Sequence, residues 1–148
     1  MRLRILIAIV LFTLKGNVIA QSPTDSCKMP GLPLIHFNKT VFLSKKAKLQ
    51  LDSVVKIAEQ YPFCKIKVTG HAPATYQGQQ DSWDQVYSIV TYLLKRRFNK
   101  DRLIFEYGTW GDPSNIEIIG SRKDGYPLIP SPHPQLSHHP SERNRYKN

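Results

Sequence analysis

The fifteen residues from Cys64 to Gly78, "CKIKVTGHAPATYQG", decide how the chain is read. Cys64, Ile66 and Val68 fall on one side of an extended backbone, with Lys65 and Lys67 on the other. That period of two belongs to a strand with one face buried and the other wet. The strand runs into Gly70-His71 and then Pro73, so the segment "APATYQGQQ" reads as a loop. A histidine delivered to the end of a strand is a common way to begin a site. Here, however, no Asp, Glu, Cys or second His lies between Gly70 and Gln80.

The pattern on either side of this strand is helical. Upstream, Ala47, Leu51, Val54, Val55 and Ala58 make one apolar stripe in "KKAKLQLDSVVKIAEQY", with Ser44 placed to cap it and Pro62 to stop it. Its lysine-rich opposite face reads as solvated surface. Downstream, Val86, Ile89, Val90, Leu93 and Leu94 define a second helix, with Asp81 or Ser82 as its N-cap. Lys95, Arg96 and Arg97 suit its C-terminal end electrostatically. Three further strands are predicted: "LIHF" (Leu34 to Phe37), "RLIFEYG" (Arg102 to Gly108) and "NIEIIGS" (Asn115 to Ser121). The order is β-α-β-α-β-β. Helical crossovers favour parallel strands, and the short "TWGDPS" turn favours an antiparallel final pair. The expected fold class is α/β, a two-layer sandwich on a mixed four-stranded sheet.

The ends of the chain are of different character. Arg2 and Arg4 precede the apolar run Ile5 to Leu14, and "VIA" ends at Ala20, which is the layout of a secretory signal peptide over residues 1–20. An uncleaved anchor is the rival, but the run is well short of the roughly 20 residues that span a bilayer. Residues 21–33 are rich in Ser, Pro and Gly and read as an extended leader; residues 34–121 form the domain. Residues 122–148, with Pro127, Pro130, Pro132, Pro134 and Pro140, read as a disordered, basic, Pro/His-rich tail. His133, His138 and His139 could ligate a metal, but they lack a scaffold and a neighbouring Cys or acidic cluster, so no metal or other cofactor is expected.

Lys and Arg total 21 against 11 acids, a net charge of +10. Such a balance favours polyanions in general, but export argues against nucleic acid as the partner. Cys27 and Cys64 are the two cysteines. In an oxidising compartment an even count favours a disulfide, with two free thiols as the alternative. No nucleophile-base spacing, phosphate-cradling loop or HExxH pattern is present, which leaves catalysis without a candidate.

A helix ending "EQYP", the strand "CKIKVTGH", a helix containing "VYSIVTYLLKRR", then "DRLIFEYG" and "NIEI" together resemble the peptidoglycan-associating OmpA C-terminal-like domain over roughly Leu34 to Ser121. The resemblance implies an exported protein of the periplasm or outer membrane, with cell-wall peptide as ligand. Members of that family carry an aspartate in the loop after the second strand, for the ammonium of a diaminopimelate residue, and an arginine on the following helix for its carboxylate. Those positions fall here on Pro73 and Gln85, and the family's Arg-Arg before the last strand is Ser114-Asn115. Charge-assisted hydrogen bonds are roughly twice as strong as neutral ones. The resemblance therefore implies peptidoglycan binding that is weak or lost. Its candidate residues are Gly70, His71 and Pro73 in the loop, Gln85 for a carboxylate, and Tyr76 and Trp83 for stacking. The alternative is a protein-interaction module of an envelope, secretion or motility assembly.

Overall fold

A computed structural model describes residues 27–38 and 40–145. The expected signal peptide and the first part of the leader, residues 21–26, lie outside the described residues.

The elements run β1 (Ile35–His36), α1 (Lys45–Glu59), β2 (Lys65–His71), α2 (Tyr76–Lys95), β3 (Leu103–Thr109), β4 (Asn115–Ser121) and a short terminal helix, α3 (Pro140–Arg145). The two-layer α/β expectation holds: a mixed four-stranded sheet carries its helices on one face. Ile66 and Val68 of β2, Leu103 and Phe105 of β3, and Ile116 and Ile118 of β4 meet Leu51 and Val54 of α1 and Val86, Ile89, Val90 and Leu93 of α2 in one core. Burying each such side chain contributes about 1.5–3 kcal/mol. The other face of the sheet is polar, with Lys67 Nζ 2.9 Å from Glu106 Oε2 across the β2–β3 pair.

Strand order departs from the expected final hairpin. β2 pairs in parallel with β3, as the helical crossover requires. The last strand, however, does not pair with β3. It inserts between β1 and β2, antiparallel to both, and the sheet order is β1-β4-β2-β3. The turn after β3 therefore crosses the C-terminal end of β2, where Ala72 N–H donates to Thr109 O (2.9 Å). This crossing is what gathers a site at that end of the sheet.

Local chemistry explains the element ends. Ser44 caps α1 by accepting from Ala47 N–H (3.1 Å). The far end of α1 is closed by Arg102, whose guanidinium donates to Ala58 O and Tyr61 O (both 2.8 Å) and to Cys64 O (2.9 Å). Burial there lowers the Arg102 pKa from its ordinary value. The second helix starts earlier than its apolar stripe suggests. Thr75 is its N-cap, accepting from Gly78 N–H (3.0 Å), so Asp81 and Ser82 are helix interior rather than caps, and most of "APATYQGQQ" is helix rather than loop. Cys27 and Cys64 are joined in a disulfide with their Cα atoms 5.8 Å apart. Cys27 N–H also donates to Gly120 O (3.3 Å), which moors the described end of the leader to β4.

The region from Arg122 onward differs from a disordered tail. It runs past the outer edge of β3, where Phe105 N–H donates to Tyr126 O (2.7 Å). It then climbs the outer face of α2. Two polar residues one helical turn apart, Gln80 and Asp84, hold it there. Gln80 Oε1 accepts from Ser131 Oγ (2.8 Å) and His133 N–H (2.9 Å). Asp84, 0% exposed, accepts from Gln80 Nε2 (2.7 Å), Ser137 Oγ (2.7 Å) and His138 N–H (2.6 Å). The tail lacks apolar periodicity because its fixing points are hydrogen bonds to the helix, not a buried stripe.

Candidate functional site

Gly70 ends the core part of β2 where α2 passes closest. A Cβ there would lie 2.5 Å from Ser82 Oγ and 2.7 Å from Val86 Cγ2, so the helix can approach only a glycine. The next residue, His71, is the last of β2 and pairs with Thr109 after a shift of register. Its Nδ1 is 2.8 Å from Thr109 Oγ1, and that hydroxyl donates to Gly70 O (3.1 Å). One hydroxyl proton cannot serve both groups. With it on Gly70, His71 is the Nδ1 donor and keeps Nε2 as an acceptor. The turn before β4 also lies against the imidazole, where a Cβ on Gly111 would come within 2.5 Å of His71 Nδ1.

These contacts shape a cavity of about 350 Å³ between the end of β2, the start of α2 and the turn before β4. His71, Pro73, Asp81, Gln85 and Ser114 line it. Pro73 sets its wall by packing on Gly78. Gln85 lies at its base, 8% exposed, and its Oε1 is buried without a hydrogen-bond partner. A buried amide oxygen left unpaired costs about 1–3 kcal/mol, and such groups are rare enough in native structures to call for an explanation.

The six ligand-site residues read from the sequence separate into two groups. His71, Pro73 and Gln85 line this cavity, while Gly70 does not line it and packs against Ser82 and Val86 of α2. Trp83 does not join them: it is 1% exposed, packs against Tyr87 and Phe105, and donates from Nε1 to Ile129 O (2.8 Å). It is a core residue, because the tail covers the side of α2 that the sequence left open to solvent. Tyr76 is 75% exposed but sits edge-on to His133 of the tail (4.7 Å) and does not line the cavity. The exposed tryptophan is Trp110, beside Gly111 in the turn that holds His71.

Two charged residues near the cavity were not read as site residues. Asp81 accepts from Gln77 Nε2 (2.7 Å), lies 3.5 Å from His138 Nε2, and lines the cavity from the second turn of α2. The i, i+4 spacing of Gln77, Asp81 and Gln85 was the sequence pattern that could have revealed it, once the helix start was placed at Tyr76. Arg143 arrives from α3 at the edge of an adjoining cavity of about 590 Å³ that shares Asp81 and Gln85. Nothing in the local pattern of the tail announced it.

Beyond the cavity, Glu106 receives Thr69 Oγ1 (2.9 Å) and the Lys67 ammonium. Burial pushes its carboxyl up, but the hydrogen bonds from Lys67 and Thr69, with the charges of Lys67 and His71, outweigh it and hold the pKa below the ordinary value. The tail histidines diverge. His133 meets Tyr76, His138 faces Asp81, and His139 packs on Tyr87 (4.9 Å). Among the described residues no group of three or more His, Cys, Asp or Glu is arranged to hold a metal ion. Among them, too, no helix is long and apolar enough to cross a membrane.

The chain matches no protein-family model and no curated protein. Among solved structures it is similar to the C-terminal domain of Helicobacter pylori MotB, with a TM-score of 0.52 at 14% sequence identity, covering 80% of this chain and 99% of that one. At that identity the likeness establishes the fold: the mixed sheet with its helices is shared, and the site residues stand on their own geometry.

Proposed function

We propose that the protein is an exported, envelope-associated module of the OmpA-like kind, which binds the peptide of peptidoglycan weakly through the cavity at the end of β2. The observation that carries this reading is Gln85, a nearly buried amide at the base of that cavity whose Oε1 has no partner. A peptide N–H becomes its donor once the Gln85 amide turns toward the cavity that its side chain lines. His71 Nε2 and the Ser114 side chain offer further neutral contacts at the rim, and Trp110 offers a face for a sugar ring. The similarity to the MotB domain supports the scaffold, and the resemblance of "CKIKVTGH" and its flanking helices supports the ligand class. Export rests on the pattern of residues 1–20.

Pro73 and Gln85 offer no charge where the family resemblance implies an acid and an arginine, so the expected affinity is modest. Each absent charged hydrogen bond removes about 1.5–3 kcal/mol relative to a site that has it. Co-sedimentation with purified sacculi tests the reading. Retention of the wild-type chain, reduced by Gln85→Met, is the expected result. A chain that stays in the supernatant at every concentration would refute it.

A further inference from the structure

At the opposite end of the sheet from His71, a second cavity surrounds the disulfide. There β2 begins and β4 ends, with Lys65 in register with Ser121. Cys27, Cys64, Lys28, Phe63 and Arg122 line a hollow of about 520 Å³, within the roughly 300–1,000 Å³ usual for small-molecule sites. Among the described residues its lining carries two cations and no acid. Lys28 and Arg122 are both exposed, and among the described residues neither has a hydrogen-bond or ion-pair partner. Their neighbour Lys65 differs, being paired with Asp124.

The two sulfurs are not equivalent. Cys64 is 5% exposed and belongs to the core. Cys27 is half-buried and borders a further hollow against β4. A nucleophile arriving from solvent therefore meets Cys27 first, and access is one of the factors that decide which sulfur of a disulfide is attacked.

We infer that this cavity is a thiol-exchange site, which takes a small thiol bearing carboxylates and directs its thiolate to Sγ of Cys27. Lys28 and Arg122 hold the carboxylates through charge-assisted hydrogen bonds. Their field also concentrates the anion and favours the thiolate over the thiol. In the step itself the incoming sulfur bonds Cys27 Sγ while the Cys27–Cys64 bond breaks. The electron pair of that bond leaves on Cys64 Sγ, which takes up a proton equivalent to the one the incoming thiol has lost. The incoming sulfur is oxidised and Cys64 is reduced. The product is a mixed disulfide on Cys27 with its carboxylates still on the two cations, and attack by Cys64 reverses it. While the adduct lasts, the covalent tie between the leader and the start of β2 is open, and the hydrogen bond from Cys27 N–H to Gly120 O (3.3 Å) remains. The site is independent of the ligand proposed for the cavity at the end of β2.

The test uses the full oxidised chain with reduced glutathione, a tripeptide thiol with two carboxylates, beside its diethyl ester, in which both are masked. Rates are compared per thiolate, with acid quenching, alkylation and peptide mapping to locate the adduct. Glutathione is expected to open the bridge at least about fivefold faster than the ester at low ionic strength, with the preference narrowing as salt is added. The adduct should accumulate on Cys27, with Cys64 alkylated as a free thiol. In the double variant Lys28→Gln, Arg122→Gln the preference should fall to about twofold or less. The control Lys45→Gln, Lys46→Gln removes the same charge at the far end of α1 and should keep it.

An adduct on Cys64, or loss of the bridge with no adduct on either cysteine, overturns the inference. So does equal reaction of thiol and ester. A preference that falls equally in both double variants overturns it too, since the net charge of the chain is then the cause. A bridge that glutathione opens only in denaturant has the same consequence.

Discussion

Gln85 sets the balance between stability and binding at the smallest scale. In the folded chain its Oε1 is desolvated without compensation, a cost that ligand would relieve. Gln85→Met keeps the volume and removes the orphaned oxygen, so the unliganded protein is expected to be unchanged or more stable by about 1 kcal/mol. Urea midpoints measure that, and sacculus retention should fall in the same variant. A variant that is both less stable and still retained would mean the amide is already satisfied. The sequence pointed to Gln85, His71, Gly70 and Pro73 because all four follow from where β2 ends and how α2 aligns. It could not place Trp83, because burial of that indole depends on Ile129 and the segment around it, 46 positions further on. Asp81 was hidden because the expected N-cap, Asp81 or Ser82, lies nearly two turns beyond the observed one, Thr75. The apolar stripe begins at Val86, whereas the cap that starts the helix is Thr75.

At the scale of elements, the tail and α2 act as one unit. Asp84→Ala leaves Gln80 Nε2, Ser137 Oγ and His138 N–H without their acceptor. The expected loss is about 2–3 kcal/mol. Trp83 emission in a Trp110→Phe background should shift to the red as the tail lifts, and unchanged emission would show that the clasp does not hold it. Nothing in the local pattern announces this clasp, because Gln80 and Asp84 look like ordinary solvent-facing positions until something covers them. Pairing of β4 was hidden for a related reason. Alternation in "NIEIIGS" identifies a strand, but its neighbours are chosen by the path of the turn, which crosses β2 instead of folding back on β3.

The β2–β3 pair makes a prediction about acid. The native pKa of Glu106 is depressed from 4.5. Its contribution is therefore fully present above the unfolded value and is lost as pH falls through the lower native one. With the side chain 41% exposed, screening keeps the effect below about 1 kcal/mol. Glu106→Gln should accordingly lower stability by up to about 1 kcal/mol at neutral pH, with the difference from wild type closing as pH falls below about 4.5. Denaturant midpoints across that range would show a steep acid limb surviving the substitution if other carboxylates dominate.

Across the whole molecule, the disulfide and the sheet fix the fold independently of the site. The Cys27–Cys64 bridge closes a separation of 37 residues, for which chain entropy gives about 4 kcal/mol. Reduction should lower stability by about 2–4 kcal/mol while far-ultraviolet circular dichroism in the absence of denaturant stays native, since β1 and β2 still flank β4. Loss of the sheet on reduction alone would mean the bridge is a condition of folding. The α/β class was legible because period-two and helical stripes are local properties of sequence. The cavity was not, since it joins the end of β2, the start of α2 and the turn before β4.

The central claim is that ligand enters beside Gln85. An isotope-edited NMR titration of the full chain with a soluble diaminopimelate-containing muropeptide tests it most directly, because the side-chain amide of Gln85 gives its own signal. The account predicts saturable shifts of that amide together with the backbone amides of His71, Asp81 and Ser114, all sharing one affinity. Saturable shifts confined to the lysine-rich face of α1 around Lys45, Lys46 and Lys48, with the Gln85 amide unmoved, would contradict it.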